Sequence, residues 1–334
     1  MTGEPTRRPV RRAMAGLTRP DRPMADLAGA NISRPAMDKH RFAVGLTVFR
    51  PDRSLFDTLL ETVRGQAGHV FVVVDGPSGE AIEAEHLDVL RDTQNVTVLA
   101  LLANAGIAAG LNRLAEAAGT AGFERILFFD QDSTVDPSLP ARLSSALDRL
   151  AERGEPVAAV GARPVAAAGS DTRAPRYRPR GEPVAGLSAV EFAIVSGLMV
   201  DLKAFRAIGP FAETLRMDGV DLEWCFRAWS RGYAIFVDPE AVLEHRVGTG
   251  VVRLGPLAFP RQREDRMLNY VRSQAICLRL AHVPLRWKMR TLLYVPVQCA
   301  VFALRSPRPV RTLSRLVRAA MKGLLITLSR PLLP

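Results

Sequence analysis

Short apolar runs alternate with longer amphipathic segments along the chain, and this pattern limits the possible folds more than any other feature. The apolar runs are Phe42–Val48, Val70–Val74, Val96–Leu101, Arg125–Phe129 and Val157–Gly161. Helical spacing lies between them at Ser54–Arg64, Gly106–Ala118 and Pro140–Arg153, the first with Ser54 as its N-cap. Strands that alternate with helices predict βαβ units, and therefore an α/β fold with an open, mostly parallel sheet flanked by helices.

Polar residues follow several of the predicted strands. Asp75 follows the second run, Asn104 comes after the third, and Asp130-Gln131-Asp132 follows the fourth. Ligands of open parallel sheets bind at the carboxyl ends of the strands. We therefore expect these residues to lie at one edge of the sheet and to form a binding site.

Asp130 and Asp132 come directly after a strongly apolar run. Two carboxylates separated by one residue at a strand end can converge on one hard cation, and oxygen ligands suit Mg²⁺ or Mn²⁺, which bind phosphate oxygens in turn. The alternative is a loop of solvated acids before the helix that begins near Pro137. We predict a divalent cation site at Asp130 and Asp132.

Four other residues each allow a structural and a functional interpretation. Asp75 can bond a base or ribose, or its own turn backbone, and Asn104 can cap the next helix. Asp221 lies in the first turn of a helix, where it can complement the helix dipole or act as a general base. His245 is either an ordinary surface or core histidine or a metal ligand beside Asp132.

Basic residues are concentrated at the C-terminal end of the chain. The net charge of the chain is +11, but it is unevenly distributed. Residues 246–334 hold 17 Lys and Arg and 2 Asp and Glu, whereas residues 42–245 hold 19 Lys and Arg and 28 Asp and Glu. An acidic body with a basic, apolar end is typical of an enzyme that faces an anionic membrane surface, and not of a nucleic-acid binder.

The C-terminal end also carries apolar segments. Thr291–Leu304 has 14 uncharged residues and contains Pro296, whereas a membrane span needs about 20 residues, so we predict interfacial or buried helices. Leu313, Leu316, Val317 and Ala320 share one helical face, and Arg311, Arg315, Arg318 and Lys322 line the other side. Such a helix can lie on anionic headgroups, or it can pack on the enzyme's own acidic body.

We divide the chain into three parts. Residues 1–40 are rich in Pro and Arg and are predicted to be disordered, 41–250 to be the catalytic domain, and 251–334 to be a basic helical extension that associates with a membrane. The N-terminal part lacks the apolar region of a secretory signal. Three scattered cysteines favour a reducing compartment. We therefore expect a cytoplasmic protein, peripheral on the inner face of the cell membrane.

Together these motifs resemble glycosyltransferase family 2, and within it the bacterial rhamnosyltransferases that use dTDP-rhamnose. The resemblance extends from Phe42 to about Leu280. The matching segments are Asn104–Asn112, Phe128–Pro137, Ser196–Leu198 with Ile208–Phe211, Val220–Tyr233, Glu244–Gly250 and, more weakly, Arg266–Ser273.

The resemblance implies a GT-A fold and an inverting transfer of a sugar from a nucleotide-sugar to a glycan or lipid-linked acceptor in cell-envelope polysaccharide synthesis. It implies that Asp75 holds the base or ribose, with Asn104 and Asn112 also at the donor site. Asp130 is implied near the ribose and metal, Asp132 as the main carboxylate ligand, and His245 as a further ligand. Asp221 is implied as the catalytic base.

Two alternatives remain open on the sequence. Asp130-Gln131-Asp132-Ser133-Thr134 also fits the nucleophile motif of haloacid-dehalogenase-type phosphatases, although that family has it on the first strand and three predicted strands precede it here. The other alternative is a non-catalytic, glycosyltransferase-like binding protein, in which Asp132 or Asp221 would be expected to have been lost.

Overall fold

A computed structural model describes residues 42–166, 174–245, 250–254 and 257–328. The predicted disordered segment 1–40 lies outside these residues. The first half of the described chain alternates strands and helices: β1 (Phe42–Val48), α1 (Arg53–Arg64), β2 (His69–Val74), α2 (Ala84–Asp92), β3 (Val96–Ala100), α3 (Ile107–Thr120), β4 (Arg125–Asp130), β5 (Thr134–Val135), α4 (Leu139–Glu152) and β6 (Val157–Ala166).

The second half is less regular. Its elements are β7 (Ser188–Ala189), β8 (Leu198–Asp201), α5 (Leu202–Ile208), a short 3-10 helix (Glu213–Leu215), α6 (Val220–Ser230), β9 (Ala234–His245), the hairpin β10 (Val251–Leu254) and β11 (Leu257–Pro260), and the helices α7 (Glu264–Leu278), α8 (Leu285–Leu304) and α9 (Pro309–Leu325).

Nine strands of the described chain form one mostly parallel sheet. Its order is β3-β2-β1-β4-β8-β6-β9-β5, with β7 paired to β9. The pairs β3-β2, β2-β1, β1-β4 and β6-β9 are parallel, whereas β8 is antiparallel to both β4 and β6. The α/β fold with an open, mostly parallel sheet is confirmed.

Apolar residues cover both faces of the sheet. One buried cluster includes Leu114 of α3, Phe205 of α5 and Trp224 of α6, and the other includes Phe56 of α1 and Leu143 of α4. Because both faces are covered, the central strands are apolar at nearly every position, as in the run Val70–Val74.

The start of α1 differs from the prediction. Asp52, and not Ser54, is the N-cap, and its carboxylate accepts a hydrogen bond from the Leu55 amide at 3.2 Å. The hydroxyl of Ser54 donates to the same carboxylate at 2.8 Å. An aspartate two residues earlier therefore takes the capping position that we assigned to the serine.

Helices α7, α8 and α9 pack on one another around Met267, Val295 and Leu316. Of the apolar face predicted for α9, Leu316 is buried, whereas Leu313 and Val317 are exposed. Gly323 of α9 lies directly against α7, and a Cβ atom at this position would clash with the carbonyl oxygen of Arg272. No helix of the described residues is both long and apolar enough to cross a membrane.

Candidate active site

The carboxyl ends of β2, β1 and β4 meet at one edge of the sheet. Val48 of β1 pairs with Val74 of β2, and Thr47 of β1 pairs with Asp130 of β4. Asp75, the residue after Val74, and Asp130 therefore lie at the same edge, two strand spacings or roughly 10 Å apart. The prediction that these residues share an edge is confirmed.

Asp75 is a buried carboxylate that holds the start of α3. It accepts hydrogen bonds from the amides of Ala105 at 2.7 Å and Gly106 at 3.0 Å. The side-chain amide of Asn104 donates to the backbone oxygen of Asp75 at 3.3 Å. Asn104 is not the N-cap of α3, because Gly106 occupies that position. Binding of the donor by Asp75 and Asn104 stays a prediction.

The backbone at the start of α3 also contacts the loop before α6. Gly106 has φ +94°, and a Cβ atom there would be 2.8 Å from the carbonyl oxygen of Arg216. That oxygen accepts from the Ala108 amide at 3.1 Å, and the Arg216 guanidinium donates to Asn104 Oδ1 at 3.1 Å. Only glycine combines this close approach with a positive φ at low cost.

Asn112 joins α3 to the segment after α5. Its amide nitrogen donates to the carbonyl of Phe211 and to the carboxylate of Glu213, both at 3.0 Å, and its oxygen accepts from the Phe211 amide at 2.8 Å. Both hydrogens of the amide are therefore used within the protein. The donor-binding role implied for Asn112 stays a prediction.

The turn after β4 is held by side chains on both sides. The Gln131 amide accepts from the Phe49 N–H at 2.7 Å and donates to the Phe49 carbonyl at 3.2 Å. The Ser133 hydroxyl is buried and lies 2.7 Å from the Ser196 hydroxyl. Gln131 and Ser133 thus hold the backbone of this turn, in which they alternate with the partly buried Asp130 and Asp132.

Asp221 lies close enough to Asp130 for their charges to interact. Burial raises the pKa of Asp221 to about 6, with the charge of Asp130 adding to the rise and the Leu222 amide, which donates to the carboxylate at 2.8 Å, opposing it. Burial also raises the pKa of Asp130 to about 6, and the charge of Asp132 adds to it. The structure therefore brings the predicted base close to Asp130 of the predicted carboxylate pair.

His245 is the last residue of β9. Its neighbour Glu244 pairs with Thr134 of β5, so the backbone of His245 lies near the turn that contains Asp132. The side chain of His245 lies outside the described part of the structure, and its role as a metal ligand stays a prediction.

The carboxylate pair fits a divalent cation shared with a phosphate group. Among the described side chains, no three of His, Cys, Asp and Glu gather to form a metal site by themselves. The charge of Asp132 raises the pKa of Asp130, and a cation between the two carboxylates would offset that repulsion. Mg²⁺ is commonly bound by one or two carboxylates, substrate phosphates and water, so two protein ligands are enough.

Two groups near the site were missed by the sequence analysis. Arg266 of α7 lies 3.4 Å from Asp218, and its charge lowers the pKa of Asp130. Buried Glu223 of α6 pairs with Arg227 of the same helix at 2.9 Å. It also pairs with His282, which follows α7, at 2.8 Å. The spacing of Glu223 and Arg227 is a signal for a helical ion pair, but nothing in the sequence relates either residue to His282.

Comparison with known proteins supports this description of the fold. No family model matches the chain. A curated relative, the dTDP-rhamnosyl transferase RfbF of Shigella flexneri, is 25% identical over 291 residues, which cover 86% of this chain and 96% of the relative. The resemblance to dTDP-rhamnosyltransferases is confirmed.

Solved structures agree at the level of the fold. The mannosyltransferase PcManGT of Pyrobaculum calidifontis, in complex with GDP-Man and Mn²⁺, has a TM-score of 0.51 and 14% identity, covering 88% of this chain and 90% of that one. TarS 1-349 of S. aureus, in complex with UDP-GlcNAc, has a TM-score of 0.51 and 15% identity, covering 85% and 81%. The fold is GT-A.

Proposed function

We propose that this protein is an inverting glycosyltransferase that transfers a sugar from a nucleotide-sugar to a glycan or lipid-linked acceptor in cell-envelope polysaccharide synthesis. The observation that carries the proposal is the proximity of Asp221 to Asp130, the first of two carboxylates at the carboxyl edge of a GT-A sheet. The similarity to RfbF favours rhamnose from dTDP-rhamnose as the donor.

The donor would extend along the sheet edge. Its base and ribose would lie near Asp75 and Asn104, and its diphosphate near Asp130 and Asp132, because these two places are roughly 10 Å apart. A divalent cation held by Asp130 and Asp132 would supply positive charge that stabilises the departing nucleotide diphosphate. Arg266, whose charge already reaches Asp130, adds a protein cation on the same side.

Asp221 is the proposed general base. Its raised pKa of about 6 makes it a better proton acceptor than an ordinary aspartate while leaving it ionised near neutral pH. It removes the proton of the acceptor hydroxyl as that oxygen attacks the anomeric carbon from the side opposite the leaving diphosphate. A single displacement of this kind inverts the configuration.

The two alternatives are weaker. The phosphatase motif belongs on a first strand, whereas Asp130 ends β4, after β1, β2 and β3. A binding protein without catalysis does not need the carboxylates of both Asp132 and Asp221 at one site. Mg²⁺-dependent hydrolysis of p-nitrophenyl phosphate would favour the phosphatase.

A donor screen tests the function directly. Purified protein is incubated with Mn²⁺ or Mg²⁺ and dTDP-rhamnose, UDP-galactose, UDP-glucose or GDP-mannose, and nucleotide release is measured. We expect release from dTDP-rhamnose above the other donors. Preference for a UDP-hexose would leave the mechanism standing and change the sugar, while release from none of the donors would contradict the proposal.

We further propose that helices α8 and α9 bind an anionic membrane surface. Most of the large apolar residues that are exposed in the described chain lie on these two helices, and on α9 they form one stripe: Val310, Leu313, Val317, Met321 and Leu325. A pocket of about 370 Å³ between α7 and α9 is lined by Arg272, Arg315, Arg318 and Lys322. Apolar side chains beside clustered cations are suited to anionic lipid.

The proposed location is the cytoplasmic face of the membrane. Cys225, Cys277 and Cys299 are buried free thiols, as is usual in a reducing compartment. At that face the protein would meet both nucleotide-sugars and a lipid-linked acceptor.

A further inference from the structure

A pocket of about 540 Å³ lies between the segment around residues 175–178 and the start of α8. Its lining includes Arg176, Glu191, Phe192, Trp287 and Arg290. None of these residues belongs to the candidate donor site. A pocket of this volume can hold a molecule the size of a sugar phosphate.

The floor of the pocket is aromatic and rigid. The Trp287 ring packs edge-on against Phe192 and Phe226, with ring centroids 5.5 and 5.6 Å apart. Its Nε1 donates to the carboxylate of Glu191 at 3.1 Å, which fixes the orientation of the ring. A fixed aromatic surface offers an apolar face to the C–H groups of a sugar ring at little cost in conformational entropy.

The rim of the pocket is cationic. Buried Glu191 is already paired with Arg286 and lies 3.7 Å from Arg178. Arg176 and Arg290 have no acidic partner among the described residues, and the guanidinium of Arg290 lies 5.1 Å from the centre of the Trp287 ring. Arginines placed in this way can bind a phosphate through several charge-assisted hydrogen bonds.

The pocket is near the proposed base. Phe226, which contacts Trp287, is five residues after Asp221 on α6, and so about 7.5 Å further along the helix. Tyr177, between Arg176 and Arg178, packs on Phe192 at 5.6 Å, and its pKa is raised by burial and also by the charge of Asp221. Tyr177 therefore connects the wall of the pocket with the surroundings of Asp221.

We propose that this pocket binds the sugar phosphate of the acceptor, with its ring on Trp287 and Phe192 and its phosphate on Arg176 and Arg290. The assignment to the acceptor rests on the proposed transferase function. An acceptor held in this way would present a hydroxyl to Asp221 while its phosphate stays away from the donor diphosphate.

Calorimetric titration without divalent cation tests the pocket. The probes are glucose 1-phosphate, glucose and inorganic phosphate. We expect glucose 1-phosphate to bind at least about 10-fold more tightly than either of the others, and Arg290→Ala and Arg176→Ala to weaken it by about 10-fold or more. Both arginines are exposed, so these variants should fold, and Trp287→Phe adds a test of the floor.

Lys288→Ala is the matched control, because Lys288 is a cation of the same helix that does not line the pocket. It should change the affinity less than about 2-fold. Equal binding of glucose and glucose 1-phosphate, or equal affinities of the Arg290→Ala and Lys288→Ala variants, would overturn the inference.

A second measurement separates this inference from the proposed function. Slow release of nucleotide from the donor, in the absence of acceptor, is measured on the unaltered protein in parallel with the calorimetry. Donor turnover without binding of glucose 1-phosphate overturns only the pocket, and binding without any donor turnover overturns only the transferase. Tighter binding of a sugar linked by pyrophosphate to a short prenyl chain would indicate a lipid-linked source, and equal binding a water-soluble one.

Discussion

Asp221 differs chemically from the other acids of α6 and of the loop before it. Asp218, three residues earlier, is held by Asn269 at 3.1 Å and lies 3.4 Å from Arg266, and Glu223 is bound in the buried pair with Arg227. The hydrogen bonds described for the Asp221 carboxylate come from backbone amides, that of Leu222 and its own. Its lone pairs thus stay available for a substrate hydroxyl.

The first prediction concerns Asp221 and pH. Asp221→Asn should lower turnover by about 10²-fold or more, because a general base contributes about that factor. In the unaltered protein, kcat/KM should fall as the pH falls through about 6, since protonation of Asp221 removes the base. The variant should lose the contribution of Asp221 and keep that of Asp130, whose pKa is also raised to about 6, so its pH dependence should be shallower. The pH-rate profiles of both proteins measure the difference.

Asp218→Asn is the matched control for this prediction. Asp218 lies in the loop just before α6, and other side chains already bind its carboxylate. Its replacement should therefore reduce turnover much less. Near-normal turnover of Asp221→Asn together with a large loss in Asp218→Asn would transfer the role of base to Asp218.

A second prediction concerns Asp132. EDTA should abolish activity and Mn²⁺ or Mg²⁺ should restore it, and Asp132→Ala should raise the Mn²⁺ concentration needed for half-maximal activity by at least about 10-fold, because it removes a hard oxygen ligand. Asp136→Ala is the control, since Asp136 is exposed on the same loop and bonds only Ser138 among the contacts described. Full activity in EDTA would rule out the cation site.

At the scale of single elements, the packing of α9 depends on a glycine. The third prediction is that Gly323→Ala weakens the docking of α9, because the added methyl clashes with the Arg272 carbonyl oxygen and lies 2.8 Å from the Ala275 Cβ. Overpacking of this kind costs about 1–3 kcal/mol, against a gain of at most about 1 kcal/mol in helix propensity. Hydrogen exchange of the α9 amides should therefore become faster.

Gly119→Ala serves as the comparison for this variant. Gly119 is also helical, but a Cβ atom there meets only the end of the Arg206 side chain at 3.6 Å. That substitution should leave exchange in α9 unchanged. Slow exchange of α9 in both variants would show that the close approach at Gly323 is not needed for docking.

Strands and motifs that depend only on neighbouring residues can be predicted from the sequence. The strands from β1 to β4 are apolar at nearly every position, and Asp130 and Asp132 stand out because they follow such a strand. The N-cap Asp52 was missed because both Asp52 and Ser54 are good capping residues, and only the coordinates decide between them.

Contacts between distant segments could not be found in this way. Asp75, which follows β2, accepts a hydrogen bond from the Ala105 amide before α3, 30 residues later in the sequence. Asn112 binds Phe211, which is 99 residues away in the sequence. The burial of Leu316 and the exposure of Leu313 and Val317 on α9 are a similar case, because α7 determines which face of α9 is buried. Tertiary packing, which helical periodicity does not encode, decides all three.

For the whole molecule, the fourth prediction concerns membrane binding. The full chain should co-sediment with vesicles of phosphatidylglycerol and phosphatidylcholine at low salt, and less so at high salt, since each basic residue near the surface contributes about 1 kcal/mol. Val317→Asp with Met321→Asp should reduce this binding, because both residues lie on the exposed stripe of α9, with exposed fractions of 54% and 49%.

Val89→Asp is the control for this prediction. Val89 has an exposed fraction of 51% but lies on α2, away from the basic helices in the sequence. It should bind vesicles as the unaltered protein does. If the unaltered chain does not sediment with anionic vesicles at low salt, α8 and α9 do not form a membrane-binding surface.

The reversed direction of β8 has a consequence for engineering. Because β8 runs antiparallel to β4, residues that enter β8, such as Ser196, reach the edge where β4 ends. Two separate stretches of the chain therefore form this edge. Residues 42–132 contribute the ends of β1, β2 and β4, and a later stretch contributes the residues just before β8. Donor and acceptor preferences would then be encoded by different stretches of the gene. A mutant library could vary one stretch while the other is kept constant.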